Sequence, residues 1–322
     1  MTPRKARWPA GFLFLCGLLS LAAMLSGCAI ISPQSMTLRG GQPAGLPLST
    51  DLNVPFFVQA DYHCGPAALA MVFNHAGLQT TPEAAAAQVF LPGRQGSLQV
   101  EMLASARRNG LVAYVLEPTL DHVLFEIAEG TPVITLEDQG PPLVPLWHYA
   151  VAVGFDIDRA EIKRHTGATP ARREPLAVFE YFWAKSKRWA MVAVPPERVP
   201  ATATEARLGE AVAALERVPG QAPRAARAYE AMLARWPQSL VGWMGRGNTA
   251  HALGDLARAE QSFRRAAELH PGAVAAHNNL AQTLLDLGLI AEARTSAERA
   301  VSLGGPMQAQ ALATLAAINA KR

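Results

Sequence analysis

The chain of 322 residues lacks the motifs and the charge that would indicate several common classes of function. It contains no P-loop, no GxGxxG sequence and no metal-ligand spacing, so no nucleotide, metal or other cofactor is expected. Its 29 basic residues outnumber the 26 acidic ones because of Arg4, Lys5 and Arg7. Without these three, each sign counts 26 residues, so nucleic acid is not expected as a partner.

The apolar run at residues 11–24 has only marginal length for a transmembrane helix. With positive residues before it and Leu-Ser-Gly-Cys after it, the run is typical of a secretory signal. That ending resembles a bacterial lipobox, which implies a signal peptide at residues 1–27 and a lipid-anchored Cys28. Ala29 in the next position implies an outer-membrane lipoprotein that faces the periplasm. An ordinary cleaved signal or a short membrane anchor is the alternative.

Cysteine is scarce: Cys16 lies in the signal, and Cys28 and Cys64 are the two others. If lipid occupies Cys28, the mature protein keeps one thiol and forms no internal disulfide. Such a lone thiol is either buried and inert or retained for chemistry.

Composition divides the mature chain into four parts. Residues 28–50 are rich in Gly, Pro and Ser and are interpreted as a tether from the membrane. Residues 51–196 mix helical and strand patterns, residues 197–205 are interpreted as a linker, and residues 206–322 are Ala-rich and helical.

The C-terminal part is repetitive. Pro237 and Pro271 lie 34 residues apart, and Trp243 and His277 share the same offset. The pattern resembles the tetratricopeptide repeat, and the best copy matches it at Trp243, Gly247, Ala259, Phe263, Ala266 and Pro271. The resemblance implies helix pairs at about 206–239, 240–273 and 274–306, a capping helix, and a protein partner. The alternative is a plain helical bundle.

The first domain contains the lone thiol at the start of a predicted helix. Residues 54–59 are predicted as a short strand, and Cys64-Gly65-Pro66 opens a helix that ends near His75. A helix N-terminus favours the thiolate form, so Cys64 is a candidate nucleophile. Gln59 is a candidate oxyanion donor, together with backbone N–H groups at the helix start.

His148 is the candidate base for this thiol. It begins a strongly predicted apolar strand over residues 146–155. The histidines at 63, 75 and 122 fit solvated loop and helix positions, and the repeats contain three more. Taken alone, His148 is equally consistent with a structural and a catalytic role.

Residues 59–66 read Gln-Ala-Asp-Tyr-His-Cys-Gly-Pro, and a His-Tyr strand follows about eighty residues later. Together they resemble the double-glycine peptidases, a papain-like family best known from bacteriocin-processing transporters. The resemblance covers about residues 54–194 and implies an α+β papain-like cysteine peptidase domain, followed here by an all-α tetratricopeptide-repeat domain. It also implies the roles of three residues: Gln59 in the oxyanion hole, Cys64 as nucleophile and His148 as general base. The whole chain resembles bacterial lipoproteins of this type.

The third residue of the family's triad is not evident in this sequence. The family has an aspartate about sixteen residues after the histidine, where it fixes the tautomer of the ring. Asp156 follows His148 by only eight residues, about 26 Å along an extended strand, which is too far for contact. The window expected opposite His148, residues 164–169, contains no carboxylate. His165, Thr166, a backbone carbonyl or an acid from a loop could orient the ring.

Two functions therefore remain open. One is a membrane-anchored cysteine peptidase that hydrolyses peptide bonds, with repeats that recruit a substrate or a partner; a related acyl-transfer enzyme is a less favoured variant. The other is a catalytically inactive peptidase-like lipoprotein that acts as a protein–protein adaptor. The missing carboxylate favours the adaptor, whereas the combination of Gln59, Cys64 and His148 favours the enzyme.

Overall fold

The computed structural model describes residues 32–141 and 143–321, so the predicted signal and Cys28 lie outside the described residues. The helices of the first domain are α1 Pro33–Gly40, α2 Cys64–His75, α3 Pro82–Val89, α4 Gln99–Arg108, α5 Leu120–Ala128 and α6 Leu176–Ala184. Its strands are β1 Ser49–Asp51, β2 Val112–Val115, β3 Val133–Asp138, β4 Trp147–Asp156, β5 Glu161–Thr166, β6 Thr169–Pro175 and β7 Ala190–Val194.

The seven strands form one antiparallel sheet in the order β2-β7-β3-β4-β5-β6, with β1 paired to β4. Successive side chains of a strand face opposite sides of a sheet, so two apolar cores form. Val151 and Val153 of β4 face the core under α2, α3 and α4. Ala152 faces the core under α5 and α6, and so does Phe155, because a β-bulge between Ala152 and Gly154 shifts the alternation by one residue. The sheet is therefore covered by helices on both faces, as an α+β domain requires.

The segment interpreted as a tether is part of this domain from Ser32 onwards. The buried Glu180 carboxylate accepts hydrogen bonds from the backbone N–H of Gln34 at 3.2 Å and of Ser35 at 2.8 Å. Leu38 and Leu46 join the core of the sheet. The interpretation as a tether is thus wrong for residues 32–50. Composition alone does not reveal that Leu38 and Leu46 are buried in the core.

Two further elements differ from the predictions. Residues 54–59 are extended but form no strand, and Gln59 instead donates its backbone N–H to the carbonyl of Gly167 at 3.0 Å. Pro55 lacks a backbone donor, which disfavours a strand there. The edge strand β6 is an addition, since no strand was expected at residues 169–175.

The C-terminal part consists of three helix pairs and a last helix. They are α7 Glu205–Glu216 with α8 Ala222–Arg235, α9 Leu240–Ala252 with α10 Leu256–Leu269, α11 Val274–Asp286 with α12 Ile290–Leu303, and α13 Gln308–Asn319. Close packing explains the small residues: a Cβ at Gly247 would lie 2.4 Å from the Phe263 ring. Gly254 and Gly288, one repeat apart, have φ of +79° and +76° in equivalent turns, where glycine carries no steric penalty.

The first helix pair shares its core with the peptidase-like sheet. Leu208, Val212 and Tyr229 belong to the same buried cluster as Tyr114 of β2. The segment interpreted as a linker is held as well, because the buried Glu126 carboxylate accepts hydrogen bonds from the backbone and hydroxyl of Thr202. Composition indicates a domain boundary at residues 197–205, but the residues on its two sides pack into one core. Within the part of the chain that the structure describes, no helix is long and apolar enough to cross a membrane.

Candidate active site

Cys64 is the first residue of α2, and its surroundings are tightly constrained. Tyr62, two residues earlier, adopts φ of +62°, a left-handed conformation that is rare for a bulky residue. Gly65 follows, and a Cβ there would lie 2.8 Å from the Cβ and Oγ of Ser97. The loop before α4 therefore presses against the start of α2, and only glycine allows this approach.

The backbone of Tyr149 lies beside two residues of the candidate site, Gln59 and Cys64. Pairing between β4 and β5 runs from Asp156 back to Val151, which lies opposite His165. In an antiparallel sheet the N–H and C=O of one residue point towards the same neighbouring strand. Tyr149 lies two residues beyond the last β4 residue that pairs with β5, so its N–H and C=O do not pair with β5. Its carbonyl accepts the side-chain Nε2 of Gln59 at 3.1 Å, and its backbone lies near enough to Cys64 to lower the pKa of that thiol.

Gln59 is thereby tied to two elements. Its Oε1 accepts the backbone N–H of Gly167 at 2.6 Å, in the turn between β5 and β6, while its Nε2 holds β4. The sequence predicts Gln59 near the thiol as an oxyanion donor and indicates no structural role. The structure adds that role, because the side chain bridges Tyr149 and Gly167.

Of the two side chains considered for orienting His148, the structure brings Thr166 to it and not His165. The Nε2 atom of His148 lies 2.8 Å from the Oγ1 of Thr166. His165 uses both ring nitrogens elsewhere: Nδ1 accepts the backbone N–H of Ala171 at 3.0 Å, and Nε2 lies 3.0 Å from the carbonyl oxygen of Val54. His165 is therefore a wrong candidate, because alternation along β5 turns neighbouring side chains to opposite faces.

Burial controls the protonation of the two central groups. It raises the pKa of the Cys64 thiol, against the hydrogen bonds from the backbone of Tyr149, Gly65 and Cys64 itself. It lowers the pKa of His148, against the nearby Glu137 carboxylate, and Arg164 lowers that pKa further. The thiol of Cys64 and the imidazole of His148 are therefore both neutral at pH 7. The expectation that the helix N-terminus favours the thiolate is not met, because desolvation outweighs the backbone donors.

Glu137 and Arg164, which lie beside His148, were not predicted from the sequence. Their signal was available, since Glu137 directly follows the apolar positions of β3 and Arg164 lies two residues after the buried Ile162 of β5. Charged groups at such positions are buried only when they are paired. No group of three or more His, Cys, Asp or Glu within residues 32–141 and 143–321 is arranged to hold a metal ion.

Comparison with known families agrees with the fold. Residues 51–191 match the Peptidase_C39 like family, and residues 218–274 and 244–307 match the tetratricopeptide repeat. The predicted family resemblance and the predicted fold class, an α+β peptidase-like domain followed by helical repeats, are thus confirmed. No curated protein is significantly similar to the chain.

Several solved structures are similar to the helical part. The TPR2B domain of yeast Sti1 in its pHsp70 complex has 18% identity and a TM-score of 0.35, over 37% of this chain and 100% of that one. The first TPR of Spaghetti (RPAP3), bound to an HSP90 peptide, has 21% identity and a TM-score of 0.34, over 36% and 91%. The Yersinia enterocolitica chaperone SycD in complex with a YopD peptide has 20% identity and a TM-score of 0.34, over 36% of this chain and 92% of that one. At these TM-scores the similarity carries no inference about function.

Proposed function

Since the chain carries a Peptidase_C39-like domain followed by tetratricopeptide repeats, we propose that it is a membrane-anchored cysteine peptidase. In this proposal Cys64 is the nucleophile, His148 is the general base, and Gln59 helps to stabilise the oxyanion. One observation carries the proposal: the Gln59 amide donates to the carbonyl of Tyr149, the residue next to His148, and the backbone of Tyr149 also lowers the pKa of Cys64. A fold kept only as a platform would not require this convergence.

In this proposal the hydrogen bond to Thr166 uses the protonated ring nitrogen of His148. With Nε2 protonated and donating to the Thr166 hydroxyl, Nδ1 has a lone pair that can accept a proton. Because thiol and imidazole are both neutral at rest, the proton passes from Sγ to Nδ1 as the substrate binds. The thiolate then attacks the peptide carbonyl carbon, a C–S bond forms, and the carbonyl π electrons move onto oxygen.

Collapse of this intermediate breaks the C–N bond, and His148 returns its proton to the departing amine. Water, deprotonated by the same ring, then hydrolyses the thioester and frees Cys64. Two donors can bind the oxyanion: backbone N–H groups at the start of α2 and the second N–H of the Gln59 amide, since that group has two. The bonds of Gln59 to Tyr149 and Gly167 hold its amide in a single orientation.

Anchoring through acylated Cys28 and a place in the outer membrane, facing the periplasm, are the second part of the proposal. The lipobox resemblance supports both. Ser32, the first described residue of the docked segment, is four residues after Cys28, and four residues span at most about 14 Å. An acylated Cys28 would therefore hold the domain directly at the membrane surface.

The repeats supply the partner surface in this proposal, because stacked helix pairs create an extended concave face. A groove between α9 and α11 is lined by polar side chains, which suit the backbone of an extended peptide. They include Asn248, His251, Asn279, Gln282 and Thr283. We propose that a peptide or protein binds there and is presented to the peptidase-like domain.

An inactive adaptor is the second candidate function, and two observations favour it. The Nε2 partner of His148 is the hydroxyl of Thr166 rather than a carboxylate, and burial raises the pKa of Cys64. Both weaken a thiol nucleophile at rest.

A cleavage assay on the full chain decides between the two functions. The protein is purified in detergent and offered a mixed peptide library, and the products are read by mass spectrometry. The enzyme reading predicts cleavage that disappears in Cys64→Ala and in His148→Ala. The matched control, His122→Ala on α5, should cleave as the wild type does. If the wild type cleaves nothing while its repeats bind a periplasmic protein, the adaptor is the function.

A further inference from the structure

Glu137 is a buried carboxylate that lies beside His148 across two strands. The two residues are directly opposite each other in the pairing of β3 with β4. Side chains in such a pair share one face of the sheet, with Cβ atoms about 4.5–5.5 Å apart. Glu137 is 0% exposed, so water does not screen its charge from the ring.

A network of donors surrounds this carboxylate. Arg164 of β5 binds Glu137 on one side and Glu174 of β6 on the other. The hydroxyl of Thr135 donates to Glu137 Oε1 over 3.3 Å, and the amide of Gln139 donates to Oε2 over 3.4 Å. Glu137 is therefore held in place by three side chains beside the ring.

We propose that Glu137 is the positioning residue that stabilises the protonated His148 ring, in place of the carboxylate missing from the triad. Its catalytic meaning rests on the proposed function. The proton of the Cys64 thiol ends on Nδ1 of His148, and Glu137 keeps its charge and takes no proton. Thr166 orients the ring from the Nε2 side, so orientation and charge come from two residues instead of one.

The other groups around His148 do not replace this charge. On α2, the Cys64 thiol lies near Tyr149, the neighbour of His148, and is neutral at rest, since burial raises its pKa. On β5, Arg164 lowers the pKa of His148, and His165 binds the backbone of Val54 and Ala171. On β6, Glu174 lies beyond Arg164, and burial raises the pKa of that carboxyl group. Glu137 is thus the negative charge placed to favour an imidazolium at this position.

Titration of the ring tests the proposal without requiring any activity. The full chain, with Cys64→Ala to remove the thiol, is labelled at histidine and followed by NMR between pH 4 and 8. The His148 signal is the one absent from His148→Gln. Glu137→Gln should lower the pKa of His148 by about one unit or more, as loss of a close opposite charge does.

Glu174→Gln is the matched control, because it makes the same chemical change in the same ionic cluster on the far side of Arg164. It should move the His148 pKa much less than Glu137→Gln does. Equal shifts in the two variants, or no shift in Glu137→Gln, would overturn the proposal. Glu137→Asp, which keeps the charge, should restore most of the wild-type pKa.

A second variant covers the case in which Glu137→Gln does not fold. Replacing Glu137, Arg164 and Glu174 together by Met removes all three charges, and buried ionic triads often tolerate apolar replacement. Because Glu137 raises the pKa of His148 by more than Arg164 lowers it, that pKa should still fall relative to the Cys64→Ala protein, although less than in Glu137→Gln. An unchanged pKa would again overturn the proposal. If the wild type shows no peptidase activity, the proposed function fails, whereas the titration still decides the role of Glu137.

Once a peptide substrate has been identified, steady-state kinetics of Glu137→Gln test the proposal further. Glu137→Gln should lower kcat by about tenfold for each unit by which the pKa of His148 falls, with KM unchanged. A general loss of folded protein would instead lower the apparent enzyme concentration and leave the pH profile of kcat in place.

Discussion

The Nε2 atom of His148 lies 2.8 Å from the Oγ1 of Thr166, at the point where β5 turns into β6. A hydroxyl can orient the ring by donating to Nε2 or accepting from it, but it carries no charge to stabilise the protonated form. The division of these two tasks between Thr166 and Glu137 distinguishes this site from a triad with a single carboxylate. The first prediction follows from this contact.

Thr166→Val should lower kcat by roughly ten- to a hundredfold with little change in KM, because the ring loses its orienting partner. Valine keeps the shape of the buried threonine, so the fold should be retained. Thr169→Val, at the exposed partner position across the turn, is the matched control and should cleave normally. An unchanged kcat in Thr166→Val would show that the ring is oriented by something else.

Gln59→Ala should damage both stability and catalysis. It removes the bonds to Tyr149 and Gly167, and the free energy of unfolding should fall by about 1–3 kcal/mol. Loss of an oxyanion donor should also reduce kcat by about a hundred- to a thousandfold. Denaturant unfolding and steady-state kinetics measure the two effects separately.

Gln59→Glu separates these roles, because a carboxylate still accepts the Gly167 N–H but donates nothing at neutral pH. The rate should be lost in this variant even though one of the two structural bonds survives. A normal rate in Gln59→Glu would exclude the side chain from the oxyanion hole.

Cys64 should react slowly with iodoacetamide at neutral pH in the resting protein. Burial disfavours the thiolate, so the midpoint of the alkylation profile should lie above that of the same cysteine in the denatured chain. Mass spectrometry of the peptide that contains Cys64 distinguishes it from the other cysteines. A midpoint below the denatured value would mean that the helix N-terminus outweighs burial after all.

The fragment 51–196 should fail to unfold cooperatively, whereas the fragment 32–238 should do so. The shorter fragment lacks Leu38 and Leu46 on one side and the helix pair that includes Leu208 and Tyr229 on the other, and all four are buried in the core of the sheet. Removing them exposes the apolar residues they cover, which costs free energy of folding. Thermal unfolding by circular dichroism provides the comparison. Equal melting temperatures would contradict the shared core.

Gly247→Ala should lower the free energy of unfolding by about 1–3 kcal/mol, because its new Cβ would overlap the Phe263 ring. Gly272→Ala is the matched control, since a Cβ there meets nothing within 4 Å. It should change stability by less than about 0.5 kcal/mol. Similar losses in both variants would indicate a backbone effect rather than close helix packing.

The sequence by itself was enough for the predictions that depend on local order along the chain. The 34-residue period from Pro237 to Pro271 predicts helix pairs, since each repeat obeys the same packing rule. The short segment from Gln59 to Pro66, with the later His148, predicts the peptidase-like domain. The family comparisons confirm both parts of this fold.

Tertiary structure alone decided what depends on register, burial and distant partners. Thr166 reaches His148 and His165 does not, because a shift of one residue along β5 changes the face of the sheet. Burial reverses the pKa expected for Cys64 at a helix N-terminus, because desolvation depends on everything packed around the sulfur. The charge beside His148 comes from Glu137 on a neighbouring strand, a relationship that spacing along the chain cannot show.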